Sequence, residues 1–250
     1  MKNFIKNYSI AFGSLTIFQT GPRRPIESSD QIRFIFFYPI VGLFLGMILN
    51  IIYLFLLVLI PRDIADFMLV ALLAAFTRAA HLINLVSGLE YEIILPNRVS
   101  STAIKKINGI SIFSLGIGLF SQWSKFFALT LIPSDLKNQS ILLLPMIGFW
   151  AISWEICFST LVAKSRSGFL VTGFWSAFIP PSIVALVFLG LLLKLKALPI
   201  IFIMVVYSFF LFKLSQSESI KSPALTLGLA HELSGVIFLF GLRFLIPENL

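Results

Sequence analysis

The chain reads as a succession of apolar blocks separated by short polar links. A helix needs about 20 predominantly apolar residues to cross the hydrocarbon core of a bilayer. The blocks of that length are Phe34 to Ile60, closed by Pro61; Phe67 to Leu89; Gly109 to Ile132, closed by Pro133; Ile141 to Ala163; Gly168 to Leu193; Ala197 to Leu214; and Ala224 to Ile246. Ahead of them, Phe4, Tyr8, Phe12 and Leu15 belong to an apolar stripe interrupted by lysines and asparagines, which suits a helix lying in the membrane interface. The pattern predicts an all-α fold: a polytopic membrane helix bundle of about seven hydrophobic helices plus an N-terminal interfacial helix. It divides into an N-terminal cytoplasmic or interfacial segment, 1–33, and a transmembrane helical domain, 34–250. Pro180-Pro181 predicts a kink or break in the fifth crossing. The spacing of Gly42 and Gly46 fits either a dimer contact or close packing within the bundle.

Composition makes the membrane reading firm. Hydrophobic residues are 58% and charged residues 12% of the chain, where a soluble domain carries about 25% charge. Cys157 is the sole cysteine, so no internal disulfide forms. The net charge of +8 comes from basic residues scattered singly through the links. That scatter speaks for topology and attraction to membrane lipid, and against nucleic acid. With the N-terminus inside, Lys2, Lys6, Arg23, Arg24, Arg33, Arg98, Lys105, Lys106, Lys164, Arg166, Lys213 and Lys221 face the cytoplasm. Only Arg62, Lys137, Lys194 and Lys196 face away, a ratio of 12 to 4 that predicts a cytoplasmic N-terminus in the inner membrane.

The second block, Phe67 to Leu89, is where candidate chemistry gathers. Ionisable groups at membrane depth are costly and tend to mark sites. Thr77, Arg78, His81 and Asn84 follow three- and four-residue spacings, predicting one shared helix face, with Glu90 and Glu92 beyond it. Glu155 in the fourth block and His231-Glu232 early in the seventh converge on the same cytoplasmic zone. Arg78 and His81 with a carboxylate from another helix suit an anionic group such as phosphate. A satisfied interhelical network that only fixes packing is the alternative. Lys125 follows Trp123 in the outer half of its helix and is placed to snorkel to the headgroups. Nucleophile elbows, phosphate-binding glycine loops and zinc spacings are absent from the sequence.

Read in order, Pro39 to Gly46, then Thr77 with His81, Leu82 and Leu85, then Leu227-Gly228 with Glu232-Leu233 form a series of motifs that resembles the cobalamin synthase family, also called adenosylcobinamide-GDP ribazoletransferases. Pro39-Ile40-Val41-Gly42-Leu43-Phe44-Leu45-Gly46 fits the family's first-span pattern, Pro-(Ile/Val)-(Val/Ile)-Gly-Leu-x-x-Gly. Thr77, His81, Leu82 and Leu85 match its core motif, Thr-Gly-Gly-x-His-Leu-Asp-Gly-Leu-Ala-Asp-x-x-Asp. Leu227-Gly228 and Glu232-Leu233 match a later motif, and Leu15-Thr16 with Pro22 loosely echoes the family's opening. The resemblance implies joining of adenosylcobinamide-GDP to α-ribazole or its phosphate, with Mg2+ held by the motif's aspartates. Those aspartate positions are Ile83, Ser87 and Glu90 here, and Lys106 stands where the family's following loop has another aspartate.

Carried over residue by residue, the resemblance assigns catalytic roles to His81, Glu90, Lys105 and Glu232. In a divergent transferase of this kind, Arg78, Lys105 and Lys106 take the phosphate charge, and Glu90, Glu92 and Glu232 hold any metal. Corrinoid and nucleoside substrates, and other cobalamin-biosynthesis enzymes as partners, follow by the same route. Three readings stay open: a divergent transferase, a non-catalytic relative that binds a substrate or partner, and a small-solute transporter.

Overall fold

The apolar blocks fold as helices, joined where proline or polar residues interrupt them. In the computed structural model, residues 2–18, 34–94, 111–165, 172–217 and 222–245 are described. Their helices are α1 (Lys2–Leu15), α2 (Tyr38–Leu59), α3 (Arg62–Phe76), α4 (Ala80–Ile94), α5 (Ile112–Thr130), α6 (Ser134–Ser165), α7 (Thr172–Leu193), α8 (Ala197–Gln216) and α9 (Pro223–Leu245). Among the described residues, five helical stretches are long and apolar enough to cross a membrane, and the bent pair α3–α4 makes a sixth.

One of those stretches is two crossings. Phe178–Gln216 is 39 residues long, about 58 Å if straight, against an apolar thickness of about 30 Å. The ring of Phe158 on α6 lies 6.2 Å from Phe178 and 5.1 Å from Phe212. The start of α7 and the end of α8 therefore share one level of the bundle. The chain turns back at Lys194–Lys196, where Lys194 takes a left-handed φ of 54°. Counted as two, this stretch brings the candidate crossings among the described residues to seven, with the bent pair taken as one.

Helix α6 sits at the centre, buried on nearly every side along Ser134–Phe158. Gly42 of α2 lets the two backbones touch, since a Cβ there would stand 2.5 Å from Met146 Cα and 2.7 Å from the Pro145 carbonyl. Gly46 meets the backbone of Leu142 in the same way. The two glycines therefore serve packing within the bundle. Outward faces such as Ile51, Phe55 and Val58 of α2 and Phe202, Val206 and Phe209 of α8 are left for lipid. Helix α1 lies along the first half of α2, with Phe4 and Tyr8 packed on Phe37 and Phe12 on Phe44.

Two local expectations are corrected. Pro180 and Pro181 do not interrupt α7, which is helical from Thr172 to Leu193. Directly after them, Ser182 donates to the Phe178 carbonyl and accepts from the indoles of Trp150 and Trp154. That packing on α6 offsets the amide bonds the prolines remove. The second predicted crossing, by contrast, is broken, with α3 and α4 meeting at 77°. Arg78 and Ala79 both take left-handed φ values, 55° and 50°.

The break is a defined C-terminal cap. The Arg78 amide bonds the Ala75 carbonyl and the Ala79 amide bonds the Ala74 carbonyl, the paired pattern that closes a helix with a left-handed residue. Arginine occupies the position that glycine fills best, at roughly 1–2 kcal/mol of backbone cost. The end of α1 secures it: the Ile17 amide donates to the Phe76 carbonyl at 2.7 Å, and Arg78 Nη2 donates to the Ile17 carbonyl at 3.1 Å. Thr77 turns back to the Leu73 and Ala74 carbonyls. Thr77, Arg78, His81 and Asn84 thus do not share one helix face.

A second polar group joins the ends of α3, α5 and α6. Lys137 pairs with Asp66 at 2.8 Å and donates to the Leu129 carbonyl, while Arg62 donates to the Ile132 carbonyl at 2.7 Å. These contacts fasten the Leu129 carbonyl in the last turn of α5, which has no partner inside its own helix, and the Ile132 carbonyl just beyond the helix end.

Candidate functional site

Helices α4 and α9 run antiparallel at backbone contact. A Cβ on Gly88 would collide with the Leu225 backbone, and one on Gly228 with the Leu85 backbone. This glycine-mediated approach continues to His81 and His231, whose rings stack with centroids 4.1 Å apart and planes 26° apart. Phe149 of α6 borders both rings, at 5.7 and 5.4 Å. His231 lies over bare Gly148, where a Cβ would stand 2.8 Å from its Nε2. Both imidazoles are buried, and the Nε2 of each has no hydrogen-bond partner among the described residues.

Glu232 organises the rest of this centre. Its Oε2 accepts from Lys125 Nζ at 2.6 Å, Gln122 Nε2 at 2.6 Å and Ser121 Oγ at 2.9 Å. Its Oε1 stands 3.1 Å from His231 Nδ1. An ionised carboxylate only accepts, so the proton of neutral His231 sits on Nδ1 and its Nε2 presents a lone pair. Ser121, Gln122 and Lys125 share one face of α5 because they are four and three residues apart. Lys125 is thereby a member of the buried centre with 2% exposure, and the headgroup-anchor reading is corrected. Its signal was available in the sequence: a lysine inside a crossing needs a partner, and Glu232 lies inside another.

The other glutamates do different work. Glu90 Oε1 accepts from the Ser111 amide at 2.5 Å, and Glu92 Oε1 from the Ser222 amide at 2.7 Å. Ser111 caps α5 by accepting from the Ser114 amide, and Ser222 accepts from the Leu225 amide at the start of α9. A capping box supplies this second bond from a glutamate within the same helix. Here the last turns of α4 supply it to two neighbouring helices.

The structure brings His81 and Glu232 into one buried centre through His231, and places Glu90 and Glu92 at two separate helix starts. Arg78 is exposed and turned to Ile17. Lys105 and Lys106 lie outside the described residues. Of the family's aspartate positions, Ile83 and Ser87 are exposed while Glu90 is buried. Magnesium wants oxygen ligands in near-octahedral array. Among the described residues no group of three or more histidine, cysteine, aspartate or glutamate side chains is placed to hold a metal. Glu232 is neutralised by an ammonium, and Glu90 and Glu92 each hold a backbone amide, so these residues do not fit the ion.

Fold and site together define a polytopic α-helical membrane protein with a buried, charge-paired polar centre at a broken helix. Residues 7–85 match the Cobalamin-5-phosphate synthase family. An adenosylcobinamide-GDP ribazoletransferase of Geotalea daltonii is 29% identical over 146 residues, covering 57% of this chain and 58% of that protein. No solved structure matches the chain. Over part of its length the chain is therefore similar to cobalamin synthases, and the matched stretch carries the Pro39–Gly46 and Thr77–Leu85 motifs.

Proposed function

We propose that this chain is a cobalamin-synthase-like membrane protein that binds corrinoid or nucleoside ligands without performing magnesium-dependent ribazole transfer. The observation that supports the reading is the engagement of all three candidate metal carboxylates: Glu90 with Ser111, Glu92 with Ser222 and Glu232 with Lys125. The scaffold positions Thr77, His81, Leu82 and Leu85 persist around them. In this reading the protein lies in the inner membrane with a cytoplasmic N-terminus. Arg78, Lys105 and Lys106 provide positive charge for phosphate groups, and other cobalamin-biosynthesis enzymes are its partners. The second reading is the transferase itself, favoured by the convergence of His81 and Glu232 at one buried centre.

The two separate in a single assay. Purified protein in liposomes is given adenosylcobinamide-GDP and α-ribazole with magnesium, and both tryptophan fluorescence and product are followed. Saturable quenching without product is the expected result. Product formation that depends on magnesium overturns it in favour of the transferase.

A further inference from the structure

Asp66, Glu90, Glu155 and Glu232 are the carboxylates that lie fully buried among the described residues. Each of the others is compensated. Asp66 is paired with Lys137, Glu232 with Lys125, and Glu90 with the Ser111 amide. Glu155, in the second half of α6 and 1% exposed, has neither a cation nor a backbone amide among the described residues. Thr226 of α9 lies beside it with its own proton committed to the Pro223 carbonyl at 3.1 Å, and Oε2 has no partner among the described residues. Tyr207 of α8 lies within electrostatic reach of both Glu155 and Glu232. Its hydroxyl is committed to the Leu229 carbonyl at 2.7 Å, so it does not serve Glu155. An isolated carboxylate inside a membrane bundle is too costly to persist uncompensated.

We propose that Glu155 is a binding site for one positive charge, a proton or an alkali-metal ion. The site lies one helical turn along α9 from Ser222, at the end of the bundle where Glu92 meets Ser222. Glu155 and Thr226 supply oxygen ligands suited to either occupant. The site is separate from the histidine–Glu232 centre, whose carboxylate is already balanced by Lys125. It does not depend on whether the chain transfers ribazole.

Infrared spectroscopy of the full chain in liposomes, in a buffer free of alkali ions at neutral pH, tests this. Glu155→Gln is the comparison, because it keeps the shape and mimics the neutralised group. A protonated-carboxyl band worth one group per chain, present in the wild type and lost in Glu155→Gln, identifies the proton. A carboxylate band that shifts on adding sodium or potassium, in the wild type alone, identifies the alkali ion. Identical spectra and identical salt responses in the two proteins overturn the proposal. If Glu155→Gln is not recovered folded, Glu155→Asp replaces it, and its carboxyl or salt-sensitive band must differ in frequency from the wild type's. An unchanged band overturns the proposal as well.

Discussion

Lys125 and Glu232 face each other across α5 and α9 with Nζ 2.6 Å from Oε2, each side chain less than 5% exposed. Removing one member of a buried pair leaves an uncompensated charge and costs roughly 3–5 kcal/mol, whereas replacing both with apolar or neutral groups is often close to neutral. Lys125→Met is expected to lower the melting temperature sharply in detergent, and Lys125→Met with Glu232→Gln to recover most of the loss. Additive losses in the double-mutant cycle would show that the two residues do not interact.

The stacked histidines give a second expectation. His231→Phe keeps the ring against His81 and Phe149 but loses the Nδ1 donor to Glu232, which already accepts three other bonds. The expected cost is about 1–2 kcal/mol. His81→Ala removes a ring packed against both His231 and Phe149 and is expected to cost about 3 kcal/mol by analogy with large-to-small core changes. Chemical denaturation of both variants orders them, and an equal or reversed order would remove the stack from the account.

These centres show what the sequence could and could not disclose. Apolar blocks beyond 20 residues made the crossings legible, because bilayer thickness leaves little choice of length. The break at Thr77–Ala79 was hidden, since Thr-Arg-Ala carries neither glycine nor proline and its left-handed turn is held by α1, sixty residues away. The family motif offered the missing signal: its Gly-Gly falls on Arg78 and Ala79, the two positions with positive φ. Lys125 looked like an interfacial anchor because its partner lies more than a hundred residues on. Pro180-Pro181 looked like a break because local chemistry alone does not reveal the Trp150–Ser182–Trp154 contact that holds α7 to α6.

The strained cap leads to a stabilising substitution. Arg78→Gly and Ala79→Gly relieve left-handed strain of roughly 1–2 kcal/mol each. Arg78→Gly also forfeits an exposed hydrogen bond to Ile17 and gains unfolded-state freedom. A net gain of about 0.5–1 kcal/mol is expected for Ala79→Gly and less for Arg78→Gly. Thermal unfolding of the two single variants checks both sign and order, and a loss in Ala79→Gly would contradict the strain argument.

At the α4–α9 crossing the sign reverses. Gly88→Ala and Gly228→Ala place a methyl group into the facing backbone, which cannot yield as a flexible side chain would. Separating the helices also pulls His81 from His231. Each is expected to cost more than the roughly 1–3 kcal/mol typical of overpacking. Gly116→Ala and Gly190→Ala, where nothing lies within 4 Å, are the controls and should be neutral or slightly stabilising. Comparable losses at all four glycines would attribute the effect to helix propensity or handling and not to the close crossing.

Magnesium supplies the last comparison. A ligand that binds only the folded state raises stability by about 2.7 kcal/mol at 100 times its dissociation constant. Because Glu90, Glu92 and Glu232 are each occupied by protein groups, the melting temperature of the wild type is expected to be the same in EDTA and in millimolar magnesium. Lys125→Met frees the Glu232 carboxylate beside the Gln122 and Ser121 oxygens and His231, and its melting temperature is expected to rise with divalent cation. A magnesium-dependent rise in the wild type itself would place a metal site in the chain and restore the transferase reading.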